Sequence, residues 1–183
     1  GLASQNLIAN GSFESDLASW IVKSIYPNGG SSATTVTGGL AGAKYLRLVR
    51  GIEIPGAETE LAVAQAPDAF IPVSSVGAYG YFISAKVAAS APITDGYSMR
   101  AYWYQGDKTT PASTSVSTVV DEQNISTTAQ YFVGQVFAPA DARFMQVAVI
   151  STKQDTTVYV DDVVAREVIS EGMIEHGAIN TQL

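Results

Sequence analysis

The chain has 183 residues and no cysteine, which is enough for one domain with a buried core and excludes disulfides and zinc–thiolate centres. Its 17 acidic residues against 10 Lys and Arg give a net charge of −7 at pH 7, and no basic stripe offers a surface for nucleic acid. Only 15% of the residues are charged, below the usual fraction of about 25%, and serine, threonine, glycine and alanine take their place. No apolar run approaches the length of a transmembrane helix, so we expect no membrane insertion.

Apolar and polar residues alternate through the first half of the chain, which predicts strands separated by turns. The alternation is clear at 44–50, where Leu46 and Leu48 point the same way. The segment 66–77 contains Pro67 and Pro72 and is predicted to be a connection, because proline cannot donate to a central sheet ladder. The other strands predicted in this half are a short one at Leu7-Ile8, which precedes a predicted turn at Asn10-Gly11, and those at 18–25, 33–37 and 61–65.

The second half continues the pattern. The longest predicted strand is 79–89, with Tyr81, Ile83, Ala85 and Val87 on one face. A polar loop is predicted at 106–115. The remaining predicted strands are 96–105, a marginal one at 116–120, the pair 130–138 and 143–152, and a closing strand at 158–167. Short strands at regular spacing predict an all-β fold, a jelly-roll sandwich of two antiparallel sheets.

Two motifs near the ends of the chain carry a resemblance to a known family. Asn6-Leu-Ile-Ala-Asn-Gly-Ser-Phe-Glu14 is followed by Trp20, and Val158-Tyr-Val-Asp-Asp-Val163 lies in the closing strand. The chain resembles the β-jelly-roll carbohydrate-binding modules that are attached to xylanases and glucanases. The resemblance spans residues 6–168, leaving residues 1–5 as an N-terminal remnant. It implies that the end strands lie together and that a structural calcium ion is held where they meet.

Asp161 and Asp162 are unusual because aspartate is disfavoured inside a strand. A pair of carboxylates could hydrolyse a glycosidic bond, but neighbours on a strand project to opposite faces, so we expect no enzyme. Calcium accepts carboxylate and carbonyl oxygens, and the family resemblance indicates the same residues. The predicted ligands are Glu14, Asp161, Asp162 and Ser12, with Asp16 as a further contributor. The alternative is that Glu14 and one aspartate bond to turn amides and an arginine.

Aromatic and cationic side chains that alternation leaves outside the core are candidates for binding sugar. Sugars stack their C–H faces on aromatic rings, and the resembling family carries such residues on a concave sheet face. The predicted ligand-binding residues are Arg100, Tyr102 and Tyr104 on one strand and Phe82 and Lys86 on another. The alternative is that these rings pair across the sheet for stability. Trp103, in phase with Met99, is predicted to be core, and Trp20 is predicted to be structural.

The tail, residues 169–183, fits neither a helix nor a strand. One interpretation is a disordered end. The other is a resemblance of its Gly-x-Ile spacing to short trimerising segments in tail-tip and fibre proteins of tailed bacteriophages. His176 lies here, so a Ser-His-Asp triad would require the tail to fold into the body.

These observations predict a non-catalytic carbohydrate-binding domain that recognises a host cell-surface glycan within a phage tail protein, extracellular or on the virion. One alternative is a structural spacer of a virion tail protein without sugar binding. Another is an accessory module of a secreted polysaccharide hydrolase. A homotrimer formed through residues 169–183 is also predicted.

Overall fold

The computed structural model of the chain describes residues 5–38, 40, 42–74 and 80–168. These residues form eleven strands, here called β1 to β11, and one 3-10 turn at Pro67–Ala69. The strands are Trp20–Ser24, Ser32–Thr37, Lys44–Arg50, Leu61–Gln65, Ile71–Pro72, Tyr81–Ala89, Ile93–Tyr104, Pro111–Ile125, Gln130–Val136, Phe144–Ser151 and Thr156–Glu167. The part of the chain that the structure describes has no helix long and apolar enough to cross a membrane.

Two antiparallel sheets pack face to face, so the predicted jelly-roll sandwich is confirmed. The first sheet has the order β1-β4-β10-β7-β8, with the short β5 beside β10, and the second has the order β2-β3-β11-β6-β9. The inner faces supply the core, and both tryptophans are buried as predicted. Its largest fully buried side chains include Trp103, Tyr97, Met99, Leu46, Leu48 and Ile83.

The two ends of the described chain lie side by side, as the resemblance implied. Leu7 N donates to Ala165 O at 2.8 Å, and Val163 N donates to Gly11 O at 2.9 Å. Asn10 takes a positive φ of 53°, which confirms the predicted Asn-Gly turn. Leu7 is bonded to β11 in this way, but Leu7 and Ile8 do not form the regular strand that the sequence predicts.

Strand β8 differs most from its prediction. It runs from Pro111 to Ile125, whereas the sequence predicted a loop through residue 115 and a marginal strand of five residues. Nine of its fifteen residues are exposed, and most of those nine are serines, threonines and acids, so the strand lacks the apolar alternation that identifies a strand in sequence. Pairing with β7 forms it instead, through a ladder with several register shifts.

Candidate functional site

The outer face of the first sheet brings together three of the predicted sugar-binding residues. Arg100, Tyr102 and Tyr104 alternate along β7 with buried core residues, so all three side chains lie on this face. All three are half-buried. The middle strands place small side chains beside them, and Tyr102 packs against this apolar floor. The floor consists of Ala62, Ala64, Ala148 and Ile150.

Lys23 lies across the two tyrosines. It is the additional residue of a bulge in β1 between Val22 and Ser24, and bulges redirect side chains in this way. Its Nζ donates to Tyr104 Oη at 2.9 Å and to Gln146 Oε1 at 2.8 Å. The same Nζ lies 4.3 Å from the centre of the Tyr102 ring, within the range of a cation–π contact. Lys23 therefore holds the Tyr102 and Tyr104 rings in place on the sheet.

Gln146 fixes the other side of this network. Its side chain is buried, and its Nε2 donates to Gln65 O at 2.8 Å. Gln65 is buried as well, and its Oε1 accepts from Val147 N at 2.8 Å. Because its amide group is held, Gln146 presents its Oε1 to both Lys23 and the hydroxyl of Tyr104.

Arg100 forms a two-bond ion pair with Glu60. Nη1 and Nη2 each lie 2.6 Å from one carboxylate oxygen, and Nη1 also reaches Tyr102 Oη at 3.4 Å. The hydrogen bonds from Arg100 hold the pKa of Glu60 below its ordinary value, and those from Glu60 raise the pKa of Arg100. The guanidinium is therefore engaged within the face and supports Tyr102.

Further aromatic side chains extend the face beyond Tyr104. The Phe70 ring stacks on Tyr104 with centroids 5.1 Å apart and an angle of 17°. Phe144 is the cross-strand neighbour of Tyr104, and Lys108 Nζ lies 4.8 Å from the centre of its ring. These residues were not predicted from the sequence, and neither were Lys23, Gln146 and Glu60. Alternation with the buried Met145 and Val147 could have identified Phe144 and Gln146.

Phe82 and Lys86 do not join this site. Both lie on β6 of the second sheet, with side chains on its outer face, so the sandwich separates them from Tyr102. Phe82 is buried, and Lys86 Nζ donates to Leu40 O at 2.8 Å. The five predicted ligand-binding residues therefore do not form a single site, because alternation predicts a face but not which sheet a strand joins.

The two neighbouring aspartates lie at a bulge in β11. Asp161 pairs with Lys86 and Val164 pairs with Ser84, which leaves two residues unpaired, and Asp162 has a φ of 51°. The bulge breaks the expected alternation, and both carboxylates lie near Tyr131, which pairs with Lys86 from the other side of β6. Burial raises the pKa of the Tyr131 hydroxyl, and the charges of Asp162 and Asp161 raise it further. Tyr131 Oη donates to Asp162 Oδ2 at 2.8 Å. The Asp161 side chain has 0% exposure, so it cannot contact a polysaccharide.

The predicted calcium ligands do not converge on one another. The Glu14 carboxylate accepts hydrogen bonds from Ala43 N and Lys44 N at 2.9 and 2.8 Å. This agrees with the alternative interpretation, in which Glu14 bonds to turn amides. Ser12 is exposed, and Asp16 bonds to Lys44 and Thr35. Among the described residues, no three His, Cys, Asp or Glu side chains are placed to hold a metal ion. The structure therefore does not fit a calcium site built from several carboxylates, and calcium stays a prediction.

At the level of sequence the chain matches no protein-family model and no curated protein. Solved structures resemble its fold. The CBM22-1 xylan-binding domain of Paenibacillus barcinonensis Xyn10C has a TM-score of 0.55 at 15% identity, covering 91% of this chain and 94% of that domain. TmCBM61, solved in complex with β-1,4-galactotriose, has a TM-score of 0.59 at 11% identity, covering 90% of this chain and all of that one (100%).

A tailspike is also similar. The enzymatically active domain of tailspike protein 4 from bacteriophage CBA120 has a TM-score of 0.57 at 14% identity. The match covers 89% of this chain but spans only 21% of that chain. At these identities the similarities establish the fold alone, a sandwich like that of carbohydrate-binding modules.

Proposed function

We propose that this chain is a non-catalytic carbohydrate-binding domain that binds a polysaccharide or cell-surface glycan on the outer face of its first sheet. The observation that carries the proposal is the pair of half-buried tyrosines, Tyr102 and Tyr104, held by the bulged Lys23 over a floor of small side chains. Sugars bind to proteins through apolar faces on aromatic rings and through hydroxyl groups that hydrogen-bond at the rim.

The rings are ordered before a ligand arrives. Tyr104 is stacked on Phe70 and bonded to Lys23, and Tyr102 is packed on the floor and lies below the Lys23 ammonium. A side chain that is already immobile loses little conformational entropy on binding, which favours affinity from a small contact area. In our proposal a sugar packs against the exposed parts of the Tyr102 and Tyr104 rings, which Phe70, the apolar floor and Lys23 leave accessible in part, and Lys23 and Arg100 donate to sugar oxygens at the edges.

The fold supports this proposal because the similar structures include carbohydrate-binding modules over nearly their whole length. We propose further that the glycan lies on a host cell surface and that the parent protein is a phage tail protein, outside the cell or on the virion. The tailspike similarity and the Gly-x-Ile spacing of the tail support that setting.

A structural spacer is the second candidate, and one observation favours it. Two of the cations near the tyrosines already have partners on the same face, Arg100 with Glu60 and Lys23 with Tyr104 and Gln146. A face whose polar groups bond to one another could be a stable surface without any ligand. Binding experiments distinguish the two candidates directly.

The test is a screen of neutral and acidic polysaccharides and bacterial surface glycans, comparing the unaltered chain with a Tyr102→Ala/Tyr104→Ala variant. A matched control is Tyr45→Ala/Tyr159→Ala, which removes a half-buried tyrosine pair from the outer face of the second sheet, with centroids 5.4 Å apart. We expect binding that the first variant loses and the control keeps. If all three proteins bind equally, the binding site lies elsewhere on the domain. If none of the glycans binds, the structural spacer is favoured.

The trimer predicted for residues 169–183 lies outside the described residues and stays part of the proposal. Sedimentation of the full chain against a chain ending at Val168 tests it. We expect the full chain to have three times the shorter chain's monomer mass, and equal monomeric masses would contradict the trimer.

A further inference from the structure

Two lysines lie over the aromatic rings of the proposed binding face, and neither has a carboxylate partner among the residues that the structure describes. Lys23 lies above Tyr102, and Lys108 lies above Phe144. Building on the proposed function, we infer that this face selects a negatively charged polysaccharide, one that carries carboxylate or phosphate groups on its sugar repeat, over a neutral one.

The geometry of Lys23 leaves one donor for a ligand. An ammonium group has three N–H donors. Two of them reach Tyr104 Oη and Gln146 Oε1, which are both uncharged, and the Tyr102 ring lies beneath the group. The described part of the chain places no carboxylate within salt-bridge distance of Lys23. Its charge is therefore balanced by dipoles and a ring, and one N–H is left without a hydrogen-bond partner.

Lys108 adds a second charge at the Tyr104 end of the face. Phe144, the ring beneath it, pairs in register with Tyr104, and Lys23 Nζ lies 5.5 Å from the centre of the Tyr104 ring, so the two ammonium groups lie over neighbouring aromatic side chains. The acid nearest to Lys108 in the sequence is Asp107. Its carboxylate accepts hydrogen bonds from the amides of Thr109 and Thr110 and from the Thr110 hydroxyl. The bond from the Thr110 hydroxyl, and then those from the Thr110 and Thr109 amides, lower the pKa of Asp107 to about 2, so its carboxylate stays ionised but is turned toward its own loop.

The contrast with Arg100 shows which cations are available. Arg100 is paired with Glu60 through two bonds, so its charge is compensated within the face. Within the described part of the chain Lys23 and Lys108 have no such ion-pair partner, although the net charge of the sequence is −7. A neutral sugar offers these ammonium groups only hydroxyl oxygens. Exchanging bound water for such an oxygen contributes little to the binding free energy. A carboxylate or phosphate offers a charge-assisted hydrogen bond, which is about twice as strong as a neutral one.

The test compares charged polymers with neutral counterparts of the same backbone. The probes are polygalacturonate, alginate and hyaluronan, each with its carboxyl-reduced form, and phosphomannan with mannan. The first three pairs report carboxylate recognition and the last reports phosphate recognition. Affinity is measured by titration calorimetry at 50 and 500 mM NaCl for the unaltered chain, Lys23→Met, Lys108→Met and their double variant. Lys153→Met is the control, because Lys153 is exposed in the turn between β10 and β11.

We expect at least one charged polymer to bind about tenfold more tightly than its neutral counterpart. Each single variant should reduce that preference roughly threefold, as for partly exposed ion pairs, and the double variant should remove it. High salt should reduce it as well, and Lys153→Met should leave it unchanged. Lys108 lies in a loop, so its variant reports charge even where Lys23→Met disturbs the tyrosines.

Three results would overturn the inference. If the neutral counterparts bind as tightly as the charged polymers, the proposed function stands and the charge selection is wrong. A preference that persists in the double variant places the selecting charge elsewhere. If neither these polymers nor the wider glycan panel binds, the inference fails together with the proposed function.

Discussion

Gly11 and Val163 meet backbone to backbone where the two ends of the domain join. A Cβ atom at position 11 would lie 2.1 Å from Val163 O, a separation that real Cβ atoms do not show. In the same place Val163 N donates to Gly11 O at 2.9 Å. The N-terminal loop can lie against the β11 bulge only because residue 11 has no side chain.

We therefore expect Gly11→Ala to lower the free energy of unfolding by about 2 kcal/mol, because the loop must shift away and weaken its bonds to β11. Urea denaturation measures the change. The control is Gly106→Ala, since nothing lies within 4 Å of a Cβ built at that loop position. Equal stability of Gly11→Ala and the unaltered chain would show that the loop is not held tightly against β11.

The ion pair on the proposed binding face predicts a pH dependence. The pKa of Glu60 is held below its ordinary value by Arg100, so the stabilisation is present above the unfolded pKa and is lost as the pH falls through the folded pKa. We expect Glu60→Gln to cost about 1 kcal/mol at pH 7, because the pair is partly exposed, and to cost less as the pH falls below about 4.5. Melting temperatures of both proteins between pH 7 and pH 3 test this. A constant difference between them would contradict it.

Tyr131 predicts the behaviour at high pH. Burial, followed by its bond to Asp162, raises its pKa to about 12. A folded pKa above the unfolded value of about 10 gives a stabilisation that is lost as the pH rises from about 10 to about 12. We expect Tyr131→Phe to lose less stability than the unaltered chain over this interval, as measured by thermal melts at each pH. Parallel decline of the two proteins would show that Tyr131 does not titrate this way.

Calcium at the joined ends stays a prediction of the family resemblance. The described carboxylates do not cluster, so backbone carbonyls would have to supply most of the ligands, as calcium allows. If an ion binds beside the buried Asp161, a chelator should lower the melting temperature by several degrees, because the ion binds only the native state. Asp161→Asn should abolish this response, whereas Asp155→Asn, in the exposed β10–β11 turn, should keep it. If the melting temperature is the same with and without chelator, the prediction of a calcium ion at the joined ends is wrong.

The sequence predicted much of the fold because burial follows alternation where one face of a strand is dry. Leu46 and Leu48 on β3, and Tyr81 and Ile83 on β6, are core residues as expected. The prediction was wrong where other forces dominate. Strand β8 is exposed on most of its length, so ladder pairing and not burial determines its extent.

The candidate site was predicted in part. Alternation placed Arg100, Tyr102 and Tyr104 on one face because they share one strand. Periodicity within a strand could not show that Phe82 lies on the other sheet, since sheet membership depends on long-range pairing. Lys23 was missed because its position depends on a bulge, and a bulge is not encoded in local periodicity. Asp162 was misplaced for the same reason.

The joined ends also determine how the domain responds to a pulling force. Leu7 pairs with Ala165 and Gly11 with Val163, so the first and last segments run in opposite directions beside each other. Tension on the two ends of the described chain therefore loads these hydrogen bonds one after another, from the outside inward, and not all at once. Hydrogen bonds that are loaded one at a time break in sequence. They resist far less force than hydrogen bonds that are loaded together in shear. We expect the N-terminal segment to peel away at low tension while both sheets of the sandwich remain intact.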